Sequence, residues 1–199
     1  MKLLYAPTSP YARKARMVII EKSLEDRVEL VDAIPYDDPA ALLAANPLGK
    51  VPALITDDGR AIFDSPVICH YLDNLTPPAR FLPEGEARWD FLVREALCDG
   101  ITDAALNIVM EGRRPEEYRS PDAPKRWRNA ILRSVAQVET DIAGYEGPLT
   151  LAQMGLGAAL GYLDLRMPDM GWRDGNPRVT AWYENFSQTP AMLSTSPDA

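Results

Sequence analysis

The chain has 199 residues, 46% hydrophobic and 25% charged, enough to bury the core of one domain or of two small ones. A net charge of −8 argues against a nucleic-acid partner, which would draw on clustered Lys and Arg to neutralise phosphates. No run approaches the ~18 apolar residues of a membrane span, and Pro7 and Pro10 interrupt the opening stretch where a signal peptide would need an apolar run, so no membrane partner and a cytoplasmic location are expected.

In chain order, residues 2–5 (Lys-Leu-Leu-Tyr) predict a short strand and residues 10–23 a helix with Ala15, Val18 and Ile19 along one side. The basic run Arg13-Lys14-Ala15-Arg16 falls on that helix and reads as a solvated face. Val28 to Val31 alternates as a second strand, and a short helix follows. Ala53-Leu54-Ile55 and Ala61-Ile62-Phe63, joined through Asp57-Asp58-Gly59, predict a hairpin. Ser65 reads as the N-cap and Pro66 as the first residue of a helix running to about Asn74.

This order is that of a thioredoxin-like domain, although the pattern alone does not separate it from other small α/β layers. Thr76-Pro77-Pro78 reads as a linker, and the chain beyond it is helical. Apolar residues recur on one face from Leu92 to Val109 of a long helix spanning Ala87 to Met110. After the Pro115 to Pro124 break, a second helix turns Trp127, Ile131, Val135, Val138 and Ile142 inward and closes at Gly144, Gly147 and Pro148. Thr150-Leu151-Ala152-Gln153 is a capping box, with Leu149 and Met154 where a hydrophobic staple would sit. Asn176-Pro177 predicts a last helix carrying Val179, Trp182 and Phe186, and Ser194 to Ala199 is expected to be a mobile tail. The expected organisation is an α/β thioredoxin-like N-terminal domain over 1–76 and an all-α helical domain over 84–199. Cys69 and Cys98 form no dithiol or zinc motif and read as small buried hydrophobes, so no metal is expected. His70, the sole histidine, lies in a helical stretch without a G-x-S-x-G elbow, so an exposed or packed helix histidine is favoured over a Ser-His-Asp hydrolase.

The most informative stretch is Asn46-Pro47-Leu48-Gly49-Lys50-Val51-Pro52, followed by Asp64-Ser65-Pro66. An X-Pro bond such as Val51-Pro52 can turn cis at a cost of about 0.5–1 kcal/mol. A cis bond there would aim the Val51 amide and carbonyl outward, where an extended ligand backbone could pair with them. Free amides and the positive helix end at Ser65 would suit a carboxylate, and Asp64 could hold an ammonium group. A ligand with a peptide backbone, an α-carboxylate and an α-amine fits this description, and glutathione has all three.

On these residues, NPLGKVPALI and then FDSPVICHYL, the chain resembles the glutathione transferase superfamily. Its opening MKLLYAPTSPYARKARMVIIEK is also similar to the first strand and helix of that family's bacterial branch with Ser-Pro-aromatic at the helix start. The resemblance spans nearly the whole chain and is carried in the C-terminal half by helix pattern. It implies a cytoplasmic homodimer that binds glutathione as a co-substrate and conjugates it to a small hydrophobic electrophile. Lys50, Val51, Pro52, Asp64 and Ser65 would bind glutathione, and Ser9 would both bind it and face its sulfur.

Conjugation needs the thiolate, because the thiol is a poor nucleophile. Serine cannot serve as the base, but its hydroxyl can donate to the sulfur anion. Hydrogen bonds to charged groups contribute about 1.5–3 kcal/mol and a helix N-terminus about 0.3–1. Together they would lower a thiol pKa by roughly one to three units. Ser followed by Pro is equally an ordinary helix start, and the two roles are compatible. Tyr5 is the alternative hydroxyl, since other branches use a tyrosine near the end of the first strand. Tyr11, Asn107 and Trp172 are candidates for the electrophile pocket by rough position. The family usually has Asp where this chain has Gln153, and the missing charge at the helix start, about 0.3–1 kcal/mol, predicts lower stability with the same fold. Two alternative activities stay open: an interaction protein that kept the fold and lost the chemistry, and glutathione-dependent reduction of peroxides or disulfides.

Overall fold

The computed structural model describes residues 1–197 and divides the chain into two compact units. The first comprises Met1–Pro83 with Thr189–Ala199, and the second Glu84–Gln188.

In the first unit, β1 (Lys2–Tyr5) is flanked by β2 (Glu29–Asp32) and β3 (Ala53–Ile55), and β4 (Ala61–Ile62) adds an edge, giving the order β2-β1-β3-β4. β1 runs parallel to β2 with Leu3 opposite Leu30, and antiparallel to β3 with Leu3 opposite Leu54. The β3–β4 hairpin is antiparallel. Leu3 and Leu4 point to opposite faces of the sheet and are both buried, as expected of a central strand covered on both sides. Helices α1 (Pro10–Glu21), α2 (Ala40–Ala45) and α3 (Ser65–Asn74) complete a thioredoxin-like domain.

Helix α1 starts where Ser9, with extended backbone, accepts the Ala12 N–H on its hydroxyl at 3.2 Å and Pro10 enters the first turn. It ends at Lys22, and the chain turns through Ser23 in the left-handed region at φ 53°. The Lys22 ammonium is buried against the Asp73 carboxylate at 3.1 Å and donates to the Thr76 and Pro78 carbonyls. Asp73 also accepts the Arg80 and Phe81 amides, so the stretch read as a plain linker is bonded to its own domain.

Two expectations about this unit are corrected. The basic run on α1 is not a solvated face: Arg13 and Lys14 are 8% and 1% exposed. Nor is Asn176-Pro177 the start of the last helix, because Pro190–Ser194 forms α8 and Thr195 after it is wholly buried. The reason is shared, since the Arg13 guanidinium donates to the Met192 carbonyl of α8 and to Thr195 Oγ1, which ties the start of the segment expected to be mobile onto α1. Residues 198 and 199 of that tail lie outside the described residues.

The second unit holds α4 (Ala87–Arg113), α5 (Ala123–Thr140), α6 (Leu151–Arg166) and α7 (Pro177–Phe186). Helix α6 is buried for nearly its whole length, and its Leu156, Ala159 and Leu160 join Ile101 and Ala105 of α4 and Val135 of α5 in one core. The predicted capping box is present: Thr150 Oγ1 accepts the Gln153 N–H at 3.3 Å while Gln153 Oε1 accepts the Thr150 N–H at 2.6 Å. Helix α7 is capped from another helix, as the Glu139 carboxylate of α5 accepts the Arg178 and Val179 amides. Asn176 instead donates to the Trp172 carbonyl. Cys69 and Cys98 are buried and not joined in a disulfide. Among the described residues, no helix is long and apolar enough to cross a membrane.

Candidate functional site

The loop from Asn46 to Pro52 is shaped by a side chain that sequence reasoning passed over. Asn46 is almost wholly buried; its Nδ2 donates to the Lys50 carbonyl at 2.8 Å, and its Oδ1 accepts the Leu48 amide at 3.0 Å. Its carbonyl accepts the Gly49 amide, and Gly49 adopts φ 62°, a left-handed conformation that glycine reaches without a Cβ penalty. The Asn-Pro pair was the available signal, because Asn side chains bond the backbone two residues on and so open turns.

Beyond this latch the Val51–Pro52 bond is cis, as is Phe63–Asp64. Pro52 is buried and leads into β3, while Val51 is half-buried. Neither the amide nor the carbonyl of Val51 has a backbone partner among the described residues, so both are unspent. Lys50 is exposed.

At α3 the cap differs from expectation by one residue. Asp64, with φ −90° and ψ −160°, takes the cap position, and its carbonyl accepts the Ile68 amide at 2.9 Å. Ser65 is the first helical residue, and Pro66 stands second, where its missing N–H removes no intrahelical bond. Asp is as good a cap residue as Ser, which is why composition could not separate them. The Asp64 carboxylate is exposed and bonds no amide of the helix, while Ser65 is buried at the helix mouth. An unengaged carboxylate therefore stands beside the unsatisfied amides of a helix start.

Ser9 is half-buried at the N-terminus of α1, in the same unit. Its oxygen accepts from Ala12, which leaves the hydroxyl proton free to be donated elsewhere. The cap role and a bond to an external anion therefore coexist without a change of rotamer. Tyr5 is differently engaged. Burial pushes its phenol pKa up, a hydrogen bond with Asp32 adds to this, and the Arg16 guanidinium lies 5.1 Å from its ring centre. A phenol whose proton is held this way is a poor partner for a sulfur anion.

The three residues considered for the electrophile pocket have different surroundings. Tyr11 is half-buried on α1 and Asn107 is exposed on α4. Trp172 is 2% exposed in the helical core; its Nε1 donates to Asp164, and it packs edge-on to Tyr183. It belongs to the core cluster of the second unit, a position that apolar pattern alone did not reveal. Among the described residues, no group of three or more His, Cys, Asp or Glu is arranged to hold a metal ion.

The models of the glutathione S-transferase N-terminal and C-terminal domains match residues 8–75 and 111–185. The uncharacterized GST-like protein YibF of Escherichia coli (strain K12) is 35% identical over 206 residues, covering 99% of this chain and 98% of that protein. Among solved structures, a glutathione transferase family member from Pseudomonas fluorescens Pf-5 with bound glutathione is 39% identical, with a TM-score of 0.95 and 98% of each chain covered. The same family member with bound S-(propanoic acid)-glutathione superposes with a TM-score of 0.90 at 38% identity, covering 99% of each chain. A glutathione S-transferase from Methylobacillus flagellatus KT with glutathione bound is 37% identical, with a TM-score of 0.91 and 98% of each chain covered.

Proposed function

Because the chain belongs to the glutathione S-transferase superfamily, we propose that it binds glutathione as the thiolate and transfers it to a small hydrophobic electrophile. The unspent Val51 amide and carbonyl pair with the cysteinyl backbone of glutathione, and Lys50 reaches its glycine carboxylate. Ser65 and the amides at the start of α3 take the α-carboxylate of the γ-glutamyl group, and Asp64 takes its ammonium. Ser9 donates its hydroxyl proton to the sulfur. The thiolate attacks the electrophilic carbon, forming the C–S bond while the leaving group departs with its electron pair.

The observation that carries this reading is the division of hydrogen-bonding capacity at Ser9: its lone pair is spent on the Ala12 amide and its proton is not. Bound glutathione in relatives 37% and 39% identical along 98% of the chain supports the binding half. A relative that holds a glutathione thioether supports conjugation over reduction, as does serine in place of a cysteine at position 9. As part of the same reading, the protein works as a cytoplasmic homodimer.

The test is the ultraviolet absorbance of glutathione thiolate titrated in the protein. Wild-type protein is expected to lower the bound thiol pKa by roughly one to three units from ~8.5. Ser9→Ala abolishes most of that shift, Tyr5→Phe preserves it, and Asp64→Ala weakens binding instead. A protein that does not bind glutathione refutes the transferase reading, and an equal shift in Ser9→Ala refutes the role of Ser9.

A further inference from the structure

We propose that Arg13 is a positioning residue for Ser9, and that the chain segment after Thr189 is the fixed point it acts through. The inference rests on the reading of Ser9 as the hydroxyl that faces the glutathione sulfur.

Arg13 lies one turn beyond Ser9, and its backbone amide donates to the Ser9 carbonyl at 2.9 Å. The Ser9 hydroxyl is bonded to the Ala12 amide, so its place is set by the first turn of α1. That turn is held from outside the helix. Arg13 Nη2 donates to the Met192 carbonyl at 2.9 Å and Nε to Thr195 Oγ1 at 3.3 Å, both in buried surroundings. Thr195 Oγ1 donates its own proton to the Ala191 carbonyl at 2.7 Å, which orients its lone pairs toward Arg13. Arg16 adds a further bond to the Ser194 carbonyl at 3.2 Å. The carbonyls at the end of a helix have no partners within it and attract cations, so the end of α8 suits a guanidinium. The planar fork of arginine fixes direction as well as distance, which the point charge of lysine does not.

The loop that would hold the glutathione backbone is secured separately, by the Asn46 latch. Loosening the Arg13 clamp therefore moves the hydroxyl relative to the sulfur while leaving the peptide site intact. A hydrogen bond weakens steeply with misalignment, and a displacement of about 1 Å far from the chemistry can cost ~100-fold in rate. The signature is a loss in thiol ionisation and kcat without a matching loss in affinity for S-methylglutathione, which has no thiol to ionise.

The test uses the full chain with Arg13→Ala, Arg13→Lys and Thr195→Val, the last preserving shape if Arg13→Ala fails to fold. Bound-thiolate absorbance, S-methylglutathione Kd by calorimetry, kcat with 1-chloro-2,4-dinitrobenzene and hydrogen exchange of the α1 first-turn amides are measured together. For Arg13→Ala and Thr195→Val, kcat near neutral pH is expected to fall about tenfold, within the range a misplaced group can cost. The bound thiol pKa should rise toward its free value, first-turn exchange should quicken, and Kd should stay within about twofold, under 0.5 kcal/mol. Arg13→Lys should recover part of the pKa shift. Folded variants with the wild-type thiol pKa, or variants whose Kd and kcat fall in parallel, overturn the positioning role alone. Wild-type protein that binds no glutathione overturns the reading beneath it.

Discussion

Gln153 donates its side-chain amide to the Tyr145 carbonyl at 2.8 Å while its oxygen accepts the Thr150 amide, so one side chain closes the start of α6 and ties it to the preceding segment. Trp182 Nε1 donates to the same carbonyl, also at 2.8 Å. The aspartate usual in the family would add negative charge at the helix start but supply no donor for Tyr145. The two effects are each of order 1 kcal/mol and opposed, which removes the stability deficit expected from the motif alone. Gln153→Asp should therefore be no more stable than wild type in urea unfolding, whereas Gln153→Ala should lose about 2 kcal/mol through the cap and the buried bond together.

The Lys22–Asp73 pair is a second site of large mutational cost. Both side chains are nearly inaccessible, at 3% and 1%, and Asp73 also takes the Arg80 and Phe81 amides. Asp73→Ala leaves a buried ammonium without its counter-charge and the buried Phe81 and part-buried Arg80 amides without their acceptor, and about 3–5 kcal/mol of destabilisation is expected. Lys22→Met with Asp73→Ala should recover part of that loss, because the double variant buries no orphaned charge. Denaturant midpoints of wild type and the two variants check this.

Tyr145 makes the folded state sensitive to alkali. Burial pushes its phenol pKa far above the ordinary value, with the neighbouring Cys98 adding to the shift. A raised folded-state pKa means that, above about pH 10, the unfolded chain releases a proton that the folded chain keeps. This contribution to stability is therefore complete below that pH and is lost as pH climbs further. Tyr145→Phe should flatten the alkaline fall in unfolding free energy. It should cost under about 1 kcal/mol at neutral pH, where the hydroxyl accepts a weak bond from the Cys98 thiol 3.9 Å away.

Ser9→Cys should convert the site from thioether to disulfide chemistry. A cysteine at a helix N-terminus has a lowered pKa. Its thiolate attacks one sulfur of glutathione disulfide, forms the mixed disulfide and releases the other half as glutathione thiolate. Intact mass spectrometry after incubation with glutathione disulfide should show one glutathionyl adduct, removable by reductant. Wild-type protein should show none, and failure of the variant to form it would count against Ser9 facing the sulfur.

Much of the candidate site was legible in the linear order of residues, because its parts are local. A Pro that can turn cis and an acidic-Ser helix start each act within a few residues of themselves, and the Asn46 turn and Gly49 at positive φ, which sequence reasoning did not extract, are equally local. The one-residue error at the α3 cap is of the same local kind, since Asp and Ser compete for the position with similar energies.

The segments that were misread are those whose state depends on distant partners. Arg13 looked like a solvated residue and residues 194–197 like a loose end; each is ordered by the other across about 180 positions. Trp172, a pocket candidate by position, joins the core cluster of the second unit, where Asp164 accepts its Nε1 proton and Tyr183 packs on it. The strands, the order of the first six elements, the caps of α1 and α6 and the glutathione-transferase-like motifs are set by short-range backbone and capping preferences and so stand in the sequence alone. Tertiary structure alone decided which charges are buried and what holds the turn that carries Ser9, because burying a guanidinium or an ammonium is tolerable only once a distant acceptor has been brought to it.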